Sequence, residues 1–295
     1  HVHLETCEMA GWVRRIIKPL VKRVVVGHAK SNFWIGRDPR KSDRIDAGKL
    51  ADLLRMGNVH PAYYTDDDDR AALREVVKQF DDLTRQQAKM KVKIKSRFRQ
   101  HGLVPKGDRV FGRDGREEWL ARLLSKDVRE ALRLVYTLLD DMRETLKQTA
   151  LLMVRLAGRF PEVELLDSVP GVGILGACRF VAYVQDVHRF PSKRDLWRYA
   201  GLAVTDRTSS GEQVSHKCLD RWSGTPCLKE MSRKAFLGAL RCTKENAFQR
   251  EYKKIVDRTK NATHARLTVQ RKIVAVLRAV WKGGAPSTDD MGKVR

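Results

Sequence analysis

Between Asp67 and Phe160 the chain offers apolar residues too sparsely to close a globular core on its own. From Asp67 to about Gly102 the pattern is that of one long, mostly polar helix whose apolar side chains are Leu73, Val76, Val77, Phe80 and Leu83. A second helix is expected from about Glu117 to Phe160, after a Gly- and charge-rich loop from Val104 to Gly115. Two such helices can bury their narrow stripes only against each other, so an antiparallel hairpin or coiled coil is predicted, projecting from whatever flanks it. The four acids Asp66 to Asp69 at its start resemble a cation site, but free backbone N–H groups and the macrodipole favour acids there, and capping is the expectation.

The flanking segments differ in kind. Val2 to Glu5 alternates as a short strand, Thr6 to Lys22 carries Trp12, Val13, Ile16, Ile17 and Leu20 at helical spacing, and Arg23 to His28 is a β-branched strand. Strand, helix and strand imply a parallel crossover, and because a chain rarely begins inside a strand, the opening strands of an α/β sheet are expected upstream of His1. A polar loop from Ser31 to Lys41 follows; Ser42 then caps a helix from about Asp43 to Met56, ended by Gly57. Asp43, Asp46, Ala47, Leu50, Leu53 and Leu54 fall on one stripe of it, and carboxylates on a buried face need a partner.

After Pro161 the chain turns compact. Pro170, Gly171 and Gly173 lie between two apolar helical stretches, a helix-hairpin-helix pattern whose glycines admit a close phosphate or merely make a turn. Leu196 to Ala203 is a short helix and turn, Thr205 to Ser215 a loop or hairpin, and basic helices are expected at Pro226–Asn246, Phe248–Asp257 and Leu267–Trp281. The end of the chain reads as a mobile tail. The expected domains are 1–66, 67–160 and 161–283, with 284–295 as the tail.

Lys and Arg number 59 against 36 Asp and Glu, a net charge of 59 − 36 = +23. The two signs segregate, as a polyanion-binding chain requires and a merely solvated surface does not. From Leu83 to Gly107 stand eight basic residues, Arg85, Lys89, Lys91, Lys93, Lys95, Arg97, Arg99 and Lys106, and no acid. Arg85, Lys89, Lys93 and Arg97 share one helical face, and we read them, with Gly171 and Gly173, as nucleic-acid contacts. No apolar run approaches a bilayer span and no signal peptide opens the chain, so neither membrane insertion nor secretion is expected. Five cysteines without a CxxC pair support no disulfide framework or zinc ribbon, and a reducing cytoplasm fits best.

For chemistry, Glu5 at a strand's carboxyl end and Asp43 with Asp46 on a helix could share a cation, Mg2+ suiting an oxygen-only set that handles phosphates; spacing alone leaves unrelated surface acids open. Ser210, beside Gly211 and near Arg207, is a plausible nucleophile, with Ser209 and Ser223 as competitors. His188, His216 and His264 form no ligand spacing.

Taken together these residues carry a resemblance. Lys41, Asp43, Asp46 and Ala47, continuing as Leu50-Ala51-Asp52-Leu53-Leu54-Arg55, resemble the signature of insertion-sequence transposases with a RuvC-like DEDD domain. Val169-Pro170-Gly171-Val172-Gly173, Phe190, Leu196 to Leu202, Ser210-Gly211 and Gly224 resemble that family's second domain in the same order. The resemblance implies an α/β RNase-H-like (RuvC-like) domain truncated at its N-terminus, a helical coiled coil, and a mainly α transposase domain with a helix-hairpin-helix and a nucleophilic serine. It further implies DNA recombination directed by a structured bridge RNA that pairs with donor and target DNA, in a homo-oligomer, dimer or tetramer, acting in the bacterial cytoplasm at the nucleoid. Glu5, Asp43 and Asp46 match the second to fourth acids of the family's set, binding Mg2+; the first Asp has no counterpart. Ser210 matches the serine. Thr225 and Lys229 depart from the usual Asn and Arg. A metal-dependent RuvC-like nuclease using water, and a non-catalytic DNA- or RNA-binding protein, are the alternatives.

Overall fold

A computed structural model describes residues 1–28, 42–209, 212–219 and 224–286, of which 205–219 enter as backbone only. The chain divides into two compact units, His1–Asp66 and Asp67–Arg295.

The first unit is the expected crossover. β1 (Val2–Glu5) and β2 (Val24–Gly27) pair in parallel with Val2 opposite Val24 and Glu5 opposite Gly27. The connecting helix is shorter than its periodicity suggests, α1 (Ala10–Ile17), followed by a 3-10 turn at Lys18–Leu20, where Pro19 withdraws an N–H from the ladder. Among the described residues of this unit, only Ala10, Val25 and Val26 are buried hydrophobic residues. The apolar stripe of α1 is thus divided: Val13 and Ile17 are half-buried, whereas Trp12, Ile16 and Leu20 are exposed. Beyond β2, His28 N–H donates to His60 O and Ala62 N–H to Val26 O, so residues 60–62 run antiparallel beside the strand. Pro61 hides this third segment from a strand reading. α2 (Asp43–Arg55) starts where Ser42 Oγ accepts the Ile45 N–H at 3.3 Å and stops before Gly57, whose φ of 71° takes the left-handed turn. No residue of α2 is buried. Asp46, Leu50, Leu53 and Leu54 are half-buried on its inner stripe, but Asp43 and Ala47, expected there too, are exposed.

In the second unit, α3 (Asp68–Gln100) and α5 (Lys126–Ala157) form the antiparallel hairpin. Leu73 and Val77 of α3 share a core with Met153 and Ala157 of α5, and at the far end Ile94 and Phe98 share one with Leu132, Tyr136 and Leu139. The expected second helix is in fact two, α4 (Arg113–Ala121) and α5, because Ser125 caps a fresh start by accepting the Val128 N–H. α4 and a 3-10 turn at Arg109–Phe111 fold across the tip and give it a core of its own. Asp67 caps α3, as expected of the acidic tetrad, by accepting the Arg70 N–H at 3.0 Å.

The rest is a compact bundle: α6 (Pro161–Asp167), α7 (Gly173–Val184), α8 (Lys193–Tyr199), a hairpin of β3 (Val204–Ser209) and β4 (Glu212–Leu219), then α9 (Pro226–Arg241), α10 (Ala247–Thr259) and α11 (Ala262–Gly283). α9 ends earlier than its composition suggests, because Asn246 serves as the cap of α10 rather than as the end of α9. Asn261 caps α11, which therefore begins five residues before the expected Leu267. Residues 287–295 lie outside the described residues, so the expected mobile tail does too from 287 onward.

Candidate active site

The three acids implicated in cation binding all lie in the first unit. Glu5 is exposed at the carboxyl end of β1, across from Gly27, and Asp43 is exposed in the first turn of α2. Asp46 is half-buried, and its Oδ1 is enclosed without a hydrogen-bond partner among the described residues. An enclosed carboxylate oxygen lacking a donor is what a bound cation would satisfy, and an acid-only set suits Mg2+; to that extent the residues fit the group. Among the described residues, however, no three His, Cys, Asp or Glu side chains group closely enough to hold a metal. α2 and β1 are nonetheless in contact, joined by the His3 ring, whose Nδ1 lies 2.8 Å from Leu50 O. The neighbouring acid Asp66 has a different duty: Arg14 and Lys18, each 2.7 Å away, hold its carboxyl down at about 2.

Ser210, Gly211 and Ser223 fall outside the described residues, and Ser209 is described only as the last backbone position of β3. What frames them is well defined. Gly224, just past the hairpin, has φ 93°, and a Cβ there would stand 2.2 Å from Gly201 N and 2.8 Å from Arg198 O. Thr225 N–H donates to Tyr199 O at 2.7 Å. The chain entering the β3–β4 hairpin and the chain leaving it therefore touch backbone to backbone, a contact only glycine permits.

Gly171 is also held by packing. Its φ is 83°, and a Cβ would fall 2.1 Å from Ala239 N and 2.3 Å from Ala235 O of α9. The turn seats on a helix there, a packing duty that the position carries beside the phosphate contact expected of it. Gly173, with φ 64°, faces open space.

On α3, Arg85, Lys89, Lys93 and Arg97 are all exposed. Arg85 is engaged by Asp82 and Arg97 donates to Gln100, while Lys89 and Lys93 form no ion pair among the described residues. Lys91 and Lys95 turn the other way, over the Phe111 ring at 5.4 and 5.2 Å. Some of the C-terminal basic residues prove structural: Arg271 Nε donates to Leu202 O at 2.8 Å and Arg278 Nη2 to Phe190 O at 2.9 Å.

A polar seam between α3 and α7 escaped the sequence reading. Asp81, 2% exposed, pairs with Arg179, 6% exposed, and accepts the Tyr183 hydroxyl at 2.9 Å. Burial, together with Cys227 and Asp81, raises the Tyr183 hydroxyl far above the ordinary tyrosine range. Nearby, Arg70 meets Glu162 at 2.7 Å and Arg74 donates to Gln185 Oε1 at 3.2 Å. In sequence the only sign is spacing: residues 70, 74 and 81 of α3 share a stripe with Leu73 and Val77.

Comparison with known proteins places names beside this geometry. Residues 21–102 match the model of the IS110-type DEDD transposase, and residues 163–250 match that of the transposase IS116/IS110/IS902 family. The chain is also similar to the Insertion element IS110 uncharacterized 43.6 kDa protein of Streptomyces coelicolor, 32% identical over 125 residues. That match covers 42% of this chain and 30% of the relative, so the chain spans less than a third of the relative's length. Asp43, Asp46 and the basic face of α3 lie in the first matched segment, and Gly171, Gly173, Ser210 and Gly224 in the second. Among the described residues no helix is long and apolar enough to cross a membrane.

Proposed function

We propose that this chain, which carries both transposase domains of the IS110 family, is the DNA recombinase of an insertion sequence and joins strands through Ser210. The observation that carries the reading is the presence of both family segments in one chain, in order, with the carboxylate pair in the first and Ser210 in the second. Glu5, Asp43 and Asp46 would hold Mg2+, which when bound would neutralise charge on the scissile phosphate. Ser210 Oγ bonds to phosphorus as the P–O bond to the sugar breaks, and the proton lost from Oγ ends on the departing sugar oxygen, which leaves as a hydroxyl. The seryl-phosphate ester retains the bond energy, so strands are exchanged without an external energy source.

Donor and target DNA are the substrates, a structured bridge RNA selects them by pairing, and the chain acts as a dimer or tetramer in the bacterial cytoplasm at the nucleoid. The exposed Lys89 and Lys93 support phosphate contacts along α3, and Gly173 supports one at the start of α7. The exposed Leu134 and Leu138 on α5 support association.

Ser210→Ala tests the chemistry. Strand exchange is expected to vanish while nucleic-acid binding persists, and a DNA adduct trapped on the wild type should map to the peptide bearing Ser210. Metal-dependent cleavage by Ser210→Ala would establish the water-using nuclease instead; binding without cleavage by the wild type would establish a non-catalytic DNA- or RNA-binding protein. Asp46→Asn should remove both activity and its metal dependence, and unchanged cleavage with an unchanged metal requirement would make the carboxylates structural.

A further inference from the structure

His3 has no role in the chemistry above, yet it sits at the one seam that site depends on. In a strand alternate residues share a face, so His3 and Glu5 project from the same side of β1. On α2, Asp46 and Leu50 are four apart and share a stripe. The His3 ring spans the two elements through Nδ1 and Leu50 O at 2.8 Å. A carbonyl oxygen only accepts, so Nδ1 carries the proton, and in the neutral ring Nε2 is left as an acceptor. Among the described residues that Nε2 is enclosed without a partner, as is Oδ1 of Asp46. Because no residue of α2 is buried, packing does not over-determine how the helix lies on the strand, and a directional hydrogen bond carries correspondingly more weight.

We propose that His3 is a positioning residue: its Nδ1–H bond to Leu50 O fixes α2 on β1 and thereby sets Asp46 relative to Glu5 for cation binding. This rests on the carboxylate reading above. It makes an unusual demand on substitutions. A side chain that keeps the N–H donor should preserve the geometry even if it is smaller, and one that keeps the volume without the donor should not. A side chain that merely fills space would show the opposite order.

The test is Mn2+ binding to the full 295-residue chain, followed by the loss of the free-ion electron paramagnetic resonance signal, for the wild type and for His3→Asn, His3→Leu and Asp46→Asn. The wild type should bind, Asp46→Asn should not, His3→Leu should bind roughly 10- to 100-fold more weakly, and His3→Asn should stay close to the wild type. Should His3→Leu fail to fold by circular dichroism, His3→Met supplies the same donorless replacement. Equal affinity in the donorless variant and the wild type, or His3→Asn as weak as the donorless variant, overturns the role of His3. A wild type that binds no Mn2+, or binding unaltered by Asp46→Asn, overturns instead the carboxylate reading on which it stands.

Discussion

The first unit and the C-terminal bundle hold their candidate residues by different means. In the first, three buried hydrophobic residues among those described anchor a crossover whose carboxylate-bearing helix has no buried residue, and orientation falls to hydrogen bonds and ion pairs at the surface. In the second, a continuous apolar core runs from Leu73 to Val280, and the chain that carries Ser210 is gripped where Gly201 meets Gly224. Apolar burial stabilises by roughly 25 cal/mol per Å2, so the bundle is rigid by area alone, while the first unit depends on a few directional contacts. On the function proposed above, the placement of the acids rests on those contacts, whereas the segment that carries Ser210 is anchored at its described ends by packing.

Four measurements bear on that contrast. The largest effect is expected from Asp81→Ala, which leaves Arg179 charged and unpaired in the α3–α7 seam: about 3–5 kcal/mol of stability should be lost in urea unfolding. Amide exchange should place that loss in the second unit alone, and equal loosening of β1 and β2 would dissolve the distinction between the regions. Gly224→Ala adds a methyl 2.2 Å from Gly201 N at a φ of 93°, costing about 3 kcal/mol, and on the proposed function it should abolish strand exchange. A Gly224→Ala protein of wild-type melting temperature would show that the two chain segments part readily, and that the grip on the hairpin is weak.

Next is the exposed face of α3. Replacing Lys89, Lys93 and Arg97 by Ala should weaken duplex binding across all sequences and flatten the log–log salt dependence by up to about 2.7, from about 0.9 per phosphate contact. An unchanged slope would mean a solvated face, with the polyanion held elsewhere on the unit. The smallest effect concerns Asp66. Its carboxyl is held at about 2, below the ordinary aspartate value, by Arg14 and Lys18; stability from this group is therefore present above about pH 4 and lost as pH falls toward 2. Because the carboxyl is more than half exposed, solvent screening limits the contribution to about 0.2–1 kcal/mol. Asp66→Asn should flatten the acid limb of the first unit's unfolding curve by that amount, and an identical limb would assign its pH dependence to other acids.

What was legible in the sequence was local. Ser42 and Asp67 each accept a backbone N–H within three residues, and Gly57 ends α2 at a positive φ; such signals act over one helical turn and need no knowledge of the rest of the chain. The crossover order of β1, α1 and β2 and the pairing of α3 with α5 followed from periodicity, because an apolar stripe must meet another. Other features passed unseen. Ser125 divides the second long helix although hydrophobic spacing runs through it, and Pro61 masks the segment beside β2.

Only the tertiary structure decided which of two plausible duties each residue performs. The packing duty of Gly171 shows only when Ala235 and Ala239 arrive from 64 and 68 residues away. Arg271 and Arg278 read as free positive charge until they meet the carbonyls of Leu202 and Phe190. His3 is one residue of an alternating strand until Leu50 supplies its acceptor. The reason is common to all three: helical and strand periodicities specify the direction of a side chain relative to its own element, whereas charge pairing, close backbone approach and hydrogen-bond satisfaction depend on an element distant in sequence, whose position is set by the packing of the whole unit.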